Sequence, residues 1–257
     1  MSKPFLSLIV AVVLLLSLGS VAFAQTAGQS QTGSAQPYDP RDLSGLWGGQ
    51  STGQSNRTLM KEEPPMTAWG LEKYKAAKTE FSNPPAYGTA NNDPVLRCEP
   101  GSSPRTYGLN HPIELFHTPK AVLMLLQVYR NYRIFYTDGR KAPDHPEGTW
   151  YGDSVARWDG NTLVVDTINF NGRNWLDQVG HPVSEMMHLT ERLTRGQRDR
   201  LTMDITVDDS MAYTRPWGGT ITWRLLPATE QIEDYMCSPA DEAVLNNDVR
   251  FKADPKQ

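Results

Sequence analysis

A mainly β chain that closes into an antiparallel up-and-down barrel is the fold the sequence predicts, and three observations carry it. Short apolar segments of strand character recur at regular spacing from Ile113 to Cys237. They follow one another through turn signals of a few residues, without the strand–helix–strand rhythm of a parallel sheet. A meander of about nine or ten strands leaves two edges open unless it closes on itself, so a barrel of about 8–10 strands with one or two short helices is the economical arrangement. A two-sheet sandwich fits the same pattern.

The 257 residues open with a segment that is not expected to belong to that barrel. Met1–Ala24 carries Lys3, an apolar run from Phe5 to Leu18, and Ala22-Phe23-Ala24 before Gln25. A basic start, an apolar stretch too short to span a bilayer and an A-x-A site make a secretory signal peptide over residues 1–24. Residues 25–41, rich in Gln, Ser, Thr and Gly, read as a flexible linker. Residues 42–257 then form a single domain.

That domain starts at Asp42-Leu43-Ser44-Gly45-Leu46-Trp47. Trp69, Leu71, Tyr74, Ala77 and Phe81 recur at near-helical spacing behind Thr67, which predicts a helix over 68–81 with a threonine N-cap. Residues 83–105, full of Pro, Asn and Gly, read as an irregular crossing loop. Strands are predicted over 113–117, 122–129, 132–137, 154–158, 162–170, 187–194, 201–207, 220–226 and 231–237. Asp159-Gly160-Asn161 makes a tight hairpin, since glycine and asparagine accept positive φ. Leu201, Met203, Ile205 and Val207 alternate with Thr202, Asp204 and Thr206, giving one buried and one wet face. Residues 239–251 read as a short C-terminal helix.

Charge and cysteines narrow the function classes. Removing the leader takes away one lysine and no acid, leaving 24 Lys+Arg against 29 Asp+Glu. An acidic balance disfavours nucleic acid or an anionic membrane surface as partner, and no second apolar run predicts an integral membrane segment after signal cleavage. Cys98 and Cys237 are either a bridge closing a loop of roughly 140 residues, worth about 5 kcal/mol in the chain-entropy model, or two unrelated buried thiols. Without C-x-x-C or a Cys/His cluster, no metal or redox centre is expected. The chain also lacks G-x-G-x-x-G, G-x-x-x-x-G-K-[ST], G-x-S-x-G and H-E-x-x-H, so no cofactor is called.

Gly45-Leu46-Trp47 resembles the G-x-W signature of lipocalin-like (calycin) barrels. That resemblance implies a tryptophan closing one barrel end under an arginine from a late strand, and Arg224 is the partner by position. The chain is also similar to a group of uncharacterised secreted bacterial proteins. That likeness rests on Pro64-Pro65-Met66-Thr67, Tyr136-Thr137-Asp138-Gly139-Arg140, Trp150-x-Gly152-x-Ser154, Trp175-Leu176-Asp177 and Gly180-His181-Pro182. It implies export, periplasmic or secreted, and transfers no activity.

Chemistry concentrates between Asn169 and Arg192. The connection Gly172–Met186 is long for a compact domain, and such loops carry function disproportionately. Read functionally, it is a mouth loop with Trp175 as a lid or stacking surface and Asp177 and His181 as an acid/base pair. Read structurally, the same Asp and His cap turns. Glu191 falls on an apolar strand face with Leu189 and Leu193, and Asp166 reads as sharing a face with Val164, Ile168 and Phe170. Carboxylates so placed need a partner, and Arg133 is the nearest candidate. The three either form a structural ion pair, anchor a ligand headgroup, or divide acid and base roles with Glu191 as a third catalytic group. Asn169, His188 and Arg140 complete the candidate ligand-binding set. Arg140 follows the Asp138-Gly139 turn and suits an anion at the rim. The reading these residues favour is a barrel cavity for a small, partly apolar molecule. A cofactor-independent hydrolase, lyase or isomerase is the rival.

Overall fold

The computed structural model describes residues 37–51, 58, 63–145, 147–235 and 237. The leader at 1–24, most of the linker and the helix read over 239–251 lie outside the described residues. Nine strands follow in chain order: β1 Gly45–Ser51, β2 Ile113–His117, β3 Ala121–Leu126, β4 Asn131–Tyr136, β5 Asp153–Asp159, β6 Thr162–Ile168, β7 His188–Gln197, β8 Arg200–Asp208 and β9 Trp217–Leu225. They close into one barrel whose neighbours run in sequence order, with β1 hydrogen-bonded to β9.

Every contact is antiparallel except β4–β5, which meet in parallel through Tyr136 and Val155. Parity explains the exception. Nine strictly alternating strands would leave the first and last running the same way. One parallel joint reverses the later strands, so β9 closes antiparallel onto β1. The joint needs a crossover, and residues 137–152 supply it.

The pleat then fills the interior. Leu189, Glu191 and Leu193 of β7 and Leu201, Met203, Ile205 and Val207 of β8 point inward and are buried. The apolar residues among them join Trp47, Leu115, Met124, Phe135, Leu163, Val165 and Trp223 in one core. Burying each of these apolar side chains stabilises the fold by roughly 1.5–3 kcal/mol.

The same topology sorts the connections. The β2–β3, β5–β6 and β7–β8 hairpins turn at one end. The described part of the β1–β2 connection, the β3–β4 turn, and the β6–β7 and β8–β9 loops gather at the other. Helix α1, Ala68–Ala76, lies at this loop end. Thr67 caps it as predicted, accepting from the Gly70 N–H at 3.0 Å, and its hydroxyl donates to the Met211 carbonyl at 2.6 Å, tying α1 to the β8–β9 loop. Gly70 is required there, because a Cβ would sit 2.2 Å from the Ala212 carbonyl oxygen.

Several boundaries differ from the sequence reading, each for a local reason. The helix stops at Ala76 and not Phe81: Asn92 donates to the Ala76 carbonyl at 3.0 Å and accepts from Lys78 N–H at 2.7 Å, replacing the next helical bonds. The third strand ends at Leu126, since Tyr129 and Arg130 turn the chain with φ of 58° and 49°. The sixth ends at Ile168, before Asn169 at φ 61°. Residues 231–235 form no strand, because β1 already occupies the free edge of β9.

At the hairpin end, Trp47 is covered by Arg195 and not by Arg224. The Arg195 guanidinium lies 5.3 Å from the Trp47 ring and donates to the carbonyls of Asp42 and Arg198. Trp223 takes the inward position on β9, which forces Arg224 outward. Cys98 and Cys237 are bridged, across 139 residues.

Candidate functional site

The candidate residues fall into four places. Inside the barrel, Arg133 Nη1 donates to both oxygens of Glu191, at 2.8 and 2.7 Å, and also to the Tyr107 hydroxyl. Arg133 Nη2 donates to Ser154 Oγ at 3.0 Å and Thr167 Oγ1 at 2.9 Å, while Tyr107 donates to Glu191 at 2.7 Å. The side chains of Arg133 and Glu191 are 1% and 0% exposed. Burial alone would pull the guanidinium pKa down. The adjacent Glu191 carboxylate outweighs it and holds Arg133 charged. Burial and the same carboxylate push the Tyr107 phenol up. Tyr107 arrives from the loop end, on a 3-10 turn at Arg105–Gly108, and so plugs the barrel onto this pair. Each carboxylate oxygen is already engaged, and of the Arg133 nitrogens only Nε is buried without an acceptor among the described residues.

Asp166 is not part of it. On β6 the inward residues are Leu163, Val165 and Thr167, and Asp166 faces outward to Arg157 at 2.6 Å and to His188 and Thr190 at 3.2 Å. The misreading has a cause. Leu163-Val164-Val165 is apolar on both faces, and Val164 is buried although it faces out, opposite Arg157 and Arg192. Their aliphatic stems flank it. His188 therefore also lies on the outer wall.

Two more candidates are spoken for elsewhere. Asn169 donates to the Pro143 carbonyl at 2.7 Å and to Asp153 at 2.9 Å, fastening the crossover loop. Arg140 grips Asp138 through two nitrogens and lies 3.7 Å over the Tyr136 ring, beyond the end of β4 at the hairpin end of the barrel.

The fourth place is the β6–β7 loop at the loop end, where Trp175, Asp177 and His181 sit together. Asp177 Oδ1 accepts from the N–H groups of Val179, Gly180 and His181 at 3.1–3.2 Å. Its Oδ2 lies 2.5 Å from His181 Nδ1. The turn is closed by a bridge between Trp175 and Pro182. His181 Nε2 faces Glu63, 3.2 Å away, and the imidazole stacks on Tyr74 of α1 at 4.7 Å. Burial alone would lower the His181 pKa; the Asp177 and Glu63 carboxylates outweigh it and hold the ring above its ordinary value. A histidine held between two carboxylates, which favour its protonated form, pins the loop to the helix. Gly180, at φ 96°, is needed at the contact, where a Cβ would lie 2.4 Å from that of Ala77.

This pinning leaves a groove of about 310 Å³ between α1 and the loop. Its walls include the indoles of Trp69 and Trp175, and its rim carries Lys73 and Arg173, both exposed. Neither cation has a carboxylate partner among the described residues. The Lys73 ammonium lies 5.6 Å from the Trp69 ring. Asn174, buried at the floor, donates to the Pro100 carbonyl and accepts from the Trp175 backbone N–H, which fixes the backbone that carries the second indole. No described contact joins Glu191 to Asp177 or His181, so the three acid/base candidates form two clusters. Trp69 and Lys73 had a sequence signal only as faces of a helix. Arg173 and Asn174 stood in the polar loop beside Trp175. Tyr107 and Ser154 lie where no periodicity points inward.

No family model matches the chain, and no curated protein matches it. Among solved structures it is similar to a secretary abundant heat soluble (SAHS) protein from Ramazzottius varieornatus. The two share 12% identity over 72% of this chain and 95% of that one, with a TM-score of 0.33.

Proposed function

We propose that this barrel binds a small, anionic, partly apolar ring compound, and that it does so in the groove at its loop end and not in the barrel interior. The observation that carries the reading is the pairing, on one groove, of two indole walls with two cations that have no carboxylate partner among the described residues. Indoles offer apolar area and a stacking face, while Lys73 and Arg173 supply the countercharge. Among the described residues the interior is occupied by the Arg133–Glu191 pair and the large side chains that enclose it. The His181 clamp preorganises the groove, which lowers the ordering cost of binding. We further propose that the chain is exported, to the periplasm or beyond. The leader pattern at 1–24 and the Cys98–Cys237 bridge support that placement.

Calorimetric titration with naphthalene-1-sulfonate tests the reading. Saturable binding that Lys73→Glu/Arg173→Glu weakens at least tenfold, with the thermal transition unchanged, supports it. Equal affinity in that variant defeats it.

A second reading, a cofactor-independent acid/base enzyme, is favoured by the Asp177–His181 contact. It requires substrate to displace Glu63 from His181 Nε2, and it gives Glu191 no part. Turnover of any ester, lactone or epimerisable substrate that His181→Asn abolishes without unfolding would establish it.

A further inference from the structure

Both walls of the groove are rooted in the β8–β9 loop. Helix α1 hangs from it by Thr67, at the helix start, where the hydroxyl donates to the Met211 carbonyl. The β6–β7 loop is tied to it by Ser184, which donates to Asp209 at 2.6 Å, and by the Pro182 carbonyl, which accepts from the Tyr213 hydroxyl at 2.7 Å. Farther along α1, where Lys73 stands, His181 is a polar link from one wall to the other. It immediately precedes Pro182, which lines the groove and bridges Trp175. Its ring stacks on Tyr74 at 4.7 Å, and its Nε2 faces Glu63 at 3.2 Å.

The proton on Nε2 decides whether that link attracts. A neutral ring donates from Nδ1 to Asp177, and its Nε2 then turns a lone pair toward the Glu63 carboxylate. A protonated ring donates to both carboxylates. The other groups around it do not change charge near neutral pH. Trp217 of β9 meets the ring edge-on at 5.9 Å. Burial first, and then the neighbouring carboxylates, push the Tyr74 and Tyr213 phenols above their ordinary value.

Taking the groove as the anion site argued above, we propose that His181 makes binding there proton-dependent, so that ligand is held under mildly acidic conditions and released as the pH rises. Two effects act in the same direction. Neutralising the ring breaks the link that holds the Lys73 end of α1 against the β6–β7 loop. It also leaves Asp177 and Glu63 uncompensated behind a groove that receives an anion. Both carboxylates favour the protonated ring against the opposing effect of burial, so affinity is full below about pH 6.5 and falls as the pH passes the higher folded value. The coupling is reciprocal: a bound anion strengthens the hold of His181 on its proton by the same factor.

Naphthalene-1-sulfonate, which stays anionic throughout this range, is titrated calorimetrically into the native chain at pH 5.5 and 8.5. Affinity is expected to be at least fivefold weaker at pH 8.5, and His181→Gln should bind equally at both. Glu63→Gln, at an exposed position, should move the midpoint of the affinity profile to lower pH. The native chain supplies a direct reading as well. Saturation with the sulfonate should raise the titration midpoint of the His181 ring proton resonances by at least ~0.7 of a pH unit, the logarithm of that fivefold change. Saturable binding of equal strength at both pH values overturns the proposal and leaves the groove reading standing. A pH dependence that a natively folded His181→Gln retains overturns it in the same way. No binding at either pH defeats the groove reading, and this proposal with it.

Discussion

Arg133 and Glu191 meet inside the barrel through two charge-assisted hydrogen bonds of 2.8 and 2.7 Å, with neither side chain reaching solvent. The pair joins β4 to β7 across the interior, and Tyr107 locks the loop end onto it.

Removing one partner strands a buried charge. Glu191→Gln is expected to destabilise the fold by about 3–5 kcal/mol, whereas Arg133→Met/Glu191→Leu together should be close to neutral or stabilising. Urea denaturation of the single and double variants measures this. If the double variant is as unstable as the single one, the pair does more than satisfy itself.

Arg195 and Arg224 give a cleaner contrast. Arg195→Ala removes both the cover over Trp47 and donors to two backbone carbonyls, at a cost of about 2 kcal/mol. Arg224→Ala, on the outer face, should stay within about 0.5 kcal/mol of the native chain. Comparable losses at both positions would contradict the assignment of the barrel-end arginine.

That contrast shows what the sequence carries. Alternation in Leu201–Val207 and around Glu191 placed the inward faces, because one face is apolar and the other polar. It failed at Leu163-Val164-Val165, where both faces are apolar and Asp166 could be assigned to either. The tryptophan of Gly45-Leu46-Trp47 was legible; its partner was not, since choosing between Arg195 and Arg224 needs the register that Trp223 sets. The β6–β7 loop stood out by length and composition. The groove did not, because its other wall is a helix more than a hundred residues earlier in the chain.

His181 links stability to pH. Its folded-state pKa is held above the ordinary 6.5 by Asp177 and Glu63 against the opposing effect of burial. Folding therefore favours the protonated ring, so its contribution is complete below about pH 6.5 and is lost as pH rises through the higher folded value. The thermal midpoint of the native chain should fall relative to His181→Gln as pH is raised from 5.5 to 8.5. A native midpoint that rises against the variant over that range would mean the ring folds neutral.

The Cys98–Cys237 bridge closes a loop across 139 residues. Cys98→Ser/Cys237→Ser is expected to lose about 5 kcal/mol in the chain-entropy model, read from denaturant midpoints. A loss under about 1 kcal/mol would show that the unfolded chain is already restrained there.

The central claim is that ligand enters the groove at the loop end. The most direct test follows the indole N–H resonances of the seven tryptophans while naphthalene-1-sulfonate is titrated into isotopically labelled protein. The account predicts saturable shifts at Trp69 and Trp175, with the resonances of Trp47 and Trp223 unmoved. Shifts at Trp47 and Trp223 with Trp69 and Trp175 silent would place the ligand inside the barrel and contradict it.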